Sequence, residues 1–117
     1  MKRDELGILL KDLSARLPYG VKVQVGNLKQ PYKMVGIHSD FVIISTEVGD
    51  DYYDISKVKP YLRPMLSMTE EEMKMYERLY YHRPIELIDF VNSHHFDYMG
   101  LIGKGLALEA PSDMYKK

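Results

Sequence analysis

The stretch Val21-Lys-Val-Gln-Val25 decides the fold, because valine alternates there with polar residues. This period of two is typical of a strand with one buried and one exposed face. Further short candidate strands follow at residues 32–37, 41–46, 52–55 and 60–62, and turn residues separate them. Several short strands at this spacing predict a β block over residues 21–62, folded as a small curled antiparallel sheet or as an SH3-like barrel.

A helix is predicted before the β block, over residues 4–17. Its leucines recur at helical spacing and form one apolar stripe, which consists of Leu6, Leu9, Leu10, Leu13 and Leu17. Asp4 is the predicted N-cap. The sequence Pro18-Tyr19-Gly20 ends the helix, because proline disfavours the helical conformation of the residue before it.

A helical block is predicted after the β block, over residues 69–110. Thr69 and Glu72 have the spacing of a capping box, in which each side chain binds the backbone amide of the other residue. Pro84 suits the first turn of a second helix. Asp97 is a candidate cap for a third short turn at residues 98–102. The chain is thus predicted to be one α+β domain over residues 1–117, with two or three C-terminal helices and a frayed tail at 111–117.

Composition excludes several classes of protein. Hydrophobic residues make up 45% of the chain and charged residues 28%, which are values of a folded globular domain. The absence of cysteine excludes disulfides, thiolate metal sites and cysteine nucleophiles. No apolar run approaches the roughly 20 residues that span a bilayer, and no signal-peptide segment follows the N-terminus. These features predict a cytoplasmic protein that does not contact a membrane.

Three parts of the chain look familiar. They are Ala15-Arg-Leu-Pro-Tyr-Gly-Val21, then Val58-Lys-Pro-Tyr-Leu-Arg-Pro-Met65 with Ser67-Met-Thr-Glu-Glu71, and finally His95-Phe-Asp-Tyr-Met-Gly-Leu-Ile102 with Gly105-Leu-Ala-Leu-Glu-Ala-Pro111. Together they resemble a group of small proteins of gut anaerobic bacteria, often carried on phages and other mobile elements. The group has no established activity. The resemblance implies a bacterial cytoplasmic setting linked to phages, and it assigns no role to any residue.

The densest group of candidate metal ligands is His94 and His95 with Asp89 and Asp97. It supports one alternative function, a metal-binding protein or an enzyme centred on His94, His95 and Asp97. Adjacent histidines on a helix point about 100° apart, which disfavours a shared ion. A histidine near a helix C-terminus is also favourable without a metal, through the helix dipole. The glycine-rich stretch Gly100-Leu-Ile-Gly-Lys-Gly105 lacks the serine or threonine of a phosphate loop. We therefore expect no metal, no cofactor and no enzymatic activity.

The ten tyrosines are the strongest indication of function. In the β block, Tyr52 and Tyr61 are predicted to point outward, near Lys57, Lys59 and Arg63. An aromatic ring among basic groups suits a protein partner or a nucleic acid, since tyrosine has an apolar body and a polar tip. The plainer interpretation is that the tyrosines pack the margins of a small sheet. The sequence favours a non-enzymatic binding or accessory module with these five residues as its surface, and the alternative of a nucleic-acid-binding module stays open.

Overall fold

A computed structural model describes residues 2–115 and has one helix, five strands, two helices and a short sixth strand, in that order. The helices are α1 (Arg3–Arg16), α2 (Glu70–His82) and α3 (Pro84–Ser93). The strands are β1 (Lys22–Val25), β2 (Tyr32–His38), β3 (Phe41–Thr46), β4 (Gly49–Asp54), β5 (Val58–Leu62) and β6 (Leu108–Glu109). The predicted α+β class, with a leading helix before the sheet and two helices after it, is confirmed.

The six strands form one open sheet in the order β4-β3-β2-β1-β5-β6. All neighbouring pairs are antiparallel except β5 and β6, which are parallel. Strands β4 and β6 lie at opposite edges, so within residues 2–115 the sheet does not close into a hydrogen-bonded barrel. A β-bulge between Met34 and Gly36 shifts the register of β2 against β3, and bulges of this kind bend a strand. Of the two predicted forms, the open sheet is the one observed.

The core lies between α1 and the inner face of the sheet. Leu9 and Leu13 of α1 are fully buried and belong to the same apolar cluster as Val21, Val23 and Val25. The other leucines of the predicted stripe, Leu6, Leu10 and Leu17, pack at the margin of this cluster. The helical and strand periodicities therefore identified the two surfaces that form the core. The predicted N-cap, Asp4, is wrong by two residues, because Lys2 is the N-cap and donates its backbone N–H to the Glu5 carboxylate at 3.0 Å.

Helix α2 begins at the predicted capping box. The Thr69 hydroxyl accepts from the Glu72 amide at 3.1 Å, and the Glu72 carboxylate accepts from the Thr69 amide at 2.9 Å. The third helical turn predicted at residues 98–102 is a loop instead. Asp97 does organise this loop, because its two carboxylate oxygens accept from the amides of Leu101 and Ile102 at 2.7 and 3.0 Å.

The C-terminal segment is attached to the body through Tyr115. Its hydroxyl donates to the Tyr61 carbonyl at 2.7 Å and accepts from the Lys22 amide at 3.0 Å, so it bridges β5 and β1. The tail predicted to fray from residue 111 thus makes ordered contacts as far as 115, and residues 116 and 117 lie outside the described part. Within residues 2–115, no helix has the length and apolar character needed to cross a membrane.

Candidate binding surfaces

The predicted binding residues of the β block have the orientations that strand alternation gave them. Tyr52 of β4 points outward and is 58% exposed, whereas Tyr53 points toward the core and is half-buried. On β5, Tyr61 is half-buried and alternates with the buried residues Pro60 and Leu62. Its hydroxyl lies 3.5 Å from the Lys29 carbonyl. Tyr52 is therefore free for contact, and Tyr61 is partly covered by its own chain.

The structure does not bring the five predicted residues together. Three strands, β3, β2 and β1, lie between β4 and β5 in the sheet. Tyr52 shares its face of β4 with Asp50 and Asp54, because side chains two residues apart point to the same side of a strand. Tyr61 shares its face of β5 with Lys59. The expected neighbourhood of positive charge is present at Tyr61, and the strand neighbours of Tyr52 are acidic.

Lysines do collect on the outer face of β1, β2 and β5, which points away from α1. Lys22 and Lys33 are directly opposite each other across β1 and β2. Lys59 lies opposite Gln24 across β5 and β1 and is exposed, as is Lys57 in the turn before β5. This face, which we call the basic face, carries positive charge beside a single half-buried tyrosine.

Arg63 is engaged in a structural contact. Its guanidinium donates to both carboxylate oxygens of Glu72, at 2.7 and 2.8 Å, and lies 4.2 Å from the centre of the Phe96 ring. These hydrogen bonds, with a further one from the Thr69 amide, lower the pKa of Glu72 from its ordinary 4.5 to about 2 against the opposing effect of burial. The pair therefore fixes the start of α2 on the end of β5, and Arg63 is not a free binding residue.

This ion pair predicts a loss of stability in acid. Because the pKa of Glu72 is lower in the folded state, its contribution to stability is complete above pH 4.5 and is lost as the pH falls toward 2. A pKa difference of one unit corresponds to about 1.4 kcal/mol, so we expect Glu72→Gln to lower the unfolding free energy at pH 7 by roughly 2–3 kcal/mol, allowing for partial solvent screening. Urea denaturation of the variant should also show a weaker pH dependence between 4.5 and 2.

Glu71→Gln is the matched control for this prediction, because Glu71 lies in the same first turn of α2 and is exposed. It should lower the unfolding free energy at pH 7 by much less than Glu72→Gln does. Burial lowers the pKa of His95 from 6.5 to about 4, so protonation of His95 removes stability at a higher pH, between 6.5 and 4. A Glu72→Gln variant whose loss of stability in acid matches the wild type below pH 4.5 would contradict the assigned role.

The three candidate metal ligands have separate surroundings. His94 Nδ1 lies 3.0 Å from the Phe90 carbonyl, as expected for a histidine at the end of a helix. The His95 ring is buried and stacks on Tyr115 with ring centres 3.9 Å apart. Both Asp97 oxygens accept from the backbone. Within residues 2–115, no three His, Asp or Glu side chains converge as a metal site would require. The expectation that the chain binds no metal stays a prediction.

A cleft of about 870 Å³ lies between the start of α2 and the C-terminal segment. Its polar groups include Arg63, Glu72, Thr69, His94 and Tyr115. These five side chains bind one another or the backbone, through the contacts given above. The cleft is therefore held together by its own polar groups, and its geometry favours a structural role for them.

Four large apolar side chains are exposed within a short stretch of the chain, where α2 meets α3. Tyr80 and Tyr81 near the end of α2 are 58% and 76% exposed, and Ile85 and Ile88 at the start of α3 are 80% and 56% exposed. Only Arg83 separates the two helices. Tyr80 and Tyr81 pack edge to face, with ring centres 5.2 Å apart. We call these four residues the hairpin patch.

The hairpin patch was not among the surfaces predicted from the sequence. The structure buries Leu79 and Val91 and half-buries Leu87. The sequence does indicate the patch through Tyr81 and Ile85, because these large apolar residues lie outside the apolar stripe that a packed helix needs.

Comparisons of the chain with family models, with curated proteins and with solved structures return no match. The resemblance to small proteins of gut anaerobic bacteria and their phages therefore stays a prediction.

Proposed function

We propose that the protein is a non-enzymatic binding module that contacts a protein partner through the hairpin patch. The observation that carries this proposal is the exposure of Tyr80, Tyr81, Ile85 and Ile88 within nine residues of the chain. Contiguous exposed apolar patches on soluble domains are typical of protein–protein contacts, because leaving them in water is unfavourable. Tyrosine is moreover among the residues enriched where binding energy is concentrated.

Two contacts support this role by attaching the start of α2, the helix that carries Tyr80 and Tyr81, to the body of the domain. The capping box fixes the first turn of α2, and the Arg63–Glu72 pair joins the same turn to β5. Near the same end of the hairpin, α3 is anchored by the buried residues Val91 and Asn92. A surface on rigid elements loses little conformational entropy when it binds, which favours affinity.

A second candidate is an anionic partner on the basic face. Lys22, Lys33 and Lys59 point outward there beside Tyr61, and the outward positions of β1 and β5 next to them carry no acidic side chain. A module that binds single-stranded nucleic acid needs aromatic rings on which the bases can stack. Tyr61 is half-buried. The formal net charge of the chain is −1, which gives no general attraction for phosphate. These points favour the protein partner at the hairpin patch.

Site-specific cross-linking in cells tests the proposal. A photoreactive phenylalanine analogue replaces Tyr81 in one variant and Val48, the 97% exposed residue of the β3–β4 turn, in the control. We expect a cross-linked protein product at position 81 and none at position 48. Adding Ile85→Asp to the position-81 variant should abolish the product, because a charge in the patch opposes burial.

Leu66→Asp is the matched control for the added substitution, since Leu66 is 96% exposed and lies outside the hairpin patch. It should leave the cross-linked product unchanged. A product that survives Ile85→Asp, or equal products at positions 81 and 48, would contradict a specific contact at the patch. A product sensitive to nuclease and to salt would point to nucleic acid instead.

A further inference from the structure

Strand β4 has one side that no other strand covers. It lies at the edge of the sheet and pairs only with β3 within residues 2–115. Successive residues of an antiparallel strand direct their backbone N–H and C=O groups to opposite sides. The Tyr52 amide points away from β3, because it donates to the neighbouring Asp51 carboxylate at 3.0 Å. Asp50 and Asp54 therefore also present their backbone groups at the uncovered side.

The segment that contains β3 and β4 carries only acidic charges. Residues 34–56, between Lys33 and Lys57, have five carboxylates and no lysine or arginine. None of the five forms a salt bridge within residues 2–115. The formal net charge is −5 for this segment and −1 for the whole chain, so the other residues together carry +4. The carboxylates belong to Asp40, Glu47, Asp50, Asp51 and Asp54.

The outer face of the sheet next to this edge also exposes two aromatic rings. Tyr52 is 58% exposed, and Phe41 of β3 is 44% exposed. Phe41 lies opposite Asp54 and Ile43 lies opposite Tyr52, and residues opposite each other on antiparallel strands share a face. Phe41, Ile43 and Tyr52 therefore form an apolar strip on the same face as the carboxylates of Asp50 and Asp54. We call β4 together with this strip the acidic edge.

The charge of the acidic edge disfavours two kinds of occupant. A second copy that paired edge to edge would place five carboxylates against five more, and like charges on neighbouring strands are destabilising. Nucleic acid would meet the same repulsion through its phosphates. An extended protein segment can match the edge, because every second side chain of an added strand lies on the outer face. Basic side chains then meet Asp50 and Asp54, and an apolar side chain between them meets Tyr52.

We propose that the acidic edge binds an extended basic segment of a partner protein, which adds to the sheet as a seventh strand. In this mode, backbone hydrogen bonds give affinity and alternate side chains give specificity. A carbonyl of the partner takes the place of the Asp51 carboxylate at the Tyr52 amide. The acidic edge is separate from the hairpin patch, so the inference goes beyond the proposed function and does not rest on it. Its centre at Tyr52 is four residues, or about 13 Å, from Val48, so that cross-linking control lies outside it.

Nuclear magnetic resonance titration of the full chain with a designed peptide tests the proposal. The probe is a seven-residue peptide of threonine with arginine at its second and sixth positions and valine at its fourth, blocked at both ends. We expect the largest shifts at the backbone amides of β4. The dissociation constant should lie below about 1 mM at low salt, as for a short ligand with few contacts, and should rise with added salt.

N-methylation of the peptide separates strand addition from simple attraction between charges. One derivative carries N-methyl groups at its odd positions and another at its even positions, so only one of them loses the amides that face β4. That derivative should bind at least about tenfold more weakly than the other, because its backbone hydrogen bonds to β4 cannot form. Both derivatives have the same charge, so equal affinities would overturn the proposal.

Two double variants locate the site on the protein. Asp50→Asn with Asp54→Asn should raise the dissociation constant about tenfold, because it removes two carboxylates and retains an oxygen at each position. Glu71→Gln with Glu77→Gln is the matched control, since it removes the same charge from exposed positions of α2. It should leave the constant within about twofold, because distant surface charges are screened. An equal loss in both double variants, or a wild type whose β4 amides do not shift, would also overturn the proposal.

Discussion

Replacing Asp12 by alanine will lower the free energy of unfolding by about 3–5 kcal/mol, the usual result of leaving one charge of a buried pair without its partner. Asp12 and Arg16 are both fully buried, and the guanidinium donates to the two carboxylate oxygens at 3.0 and 3.1 Å. Burial raises the pKa of Asp12, although Arg16 opposes that effect. Urea denaturation at pH 7 measures the change.

The same pair connects α1 to the loop that follows α3. Arg16 donates to the Phe96 carbonyl, and its guanidinium lies 5.5 Å from the centre of the Tyr98 ring. Its Nη1 atom is buried and has no hydrogen-bond partner among residues 2–115, so the polar cluster is incompletely satisfied there. The fold should therefore tolerate apolar side chains at both positions better than the loss of only one charge of the pair.

A double variant, Asp12→Leu with Arg16→Met, is therefore the control for the first prediction. We expect it to lose clearly less stability than Asp12→Ala alone, because both charges leave the interior together. If Asp12→Ala costs under 1 kcal/mol, the pair is not an isolated buried interaction of the assigned kind. The same conclusion follows if the double variant loses as much stability as the separate Asp12 and Arg16 variants combined.

The parts of the fold that could be predicted are those set by local sequence. The valine alternation at residues 21–25, the leucine stripe of α1 and the Thr69–Glu72 box each depend on residues a few positions apart. The Asp12–Arg16 pair was not predictable as a buried one. Its i,i+4 spacing is typical of an exposed helical pair, and only the packing of residues 96–98, eighty positions away, encloses it.

The candidate site shows the same division. Strand alternation correctly predicted that Tyr52 points outward and Tyr53 inward, because side-chain direction is a local property. It could not predict that β4 and β5 are separated by three strands, since strand order depends on long-range pairing. Nor could strand alternation show that Arg63 is engaged in an ion pair with Glu72. The hairpin patch was missed for a related reason: which face of α2 is exposed depends on what covers the helix.

Replacing Leu13 by alanine will lower the free energy of unfolding by about 2–5 kcal/mol, the range for a buried leucine whose neighbours relax only in part. Leu13 is fully buried and belongs to the same cluster as Val21, Val23 and Val25 of the sheet. The substitution removes apolar contacts and leaves a cavity in the cluster between α1 and the sheet. Chemical denaturation should show this as a lower midpoint with an unchanged slope.

Leu10→Ala is the matched control, because Leu10 lies on the same helix and is only half-buried at the margin of the cluster. Its loss of stability should be well below that of Leu13→Ala, since part of the side chain is already in water. The comparison distinguishes two roles for α1. If both substitutions cost under half a kcal/mol, α1 is a detachable arm whose leucines are available to a partner. If the cost follows burial, α1 is part of the core, and the hairpin patch is the apolar surface that is left for binding.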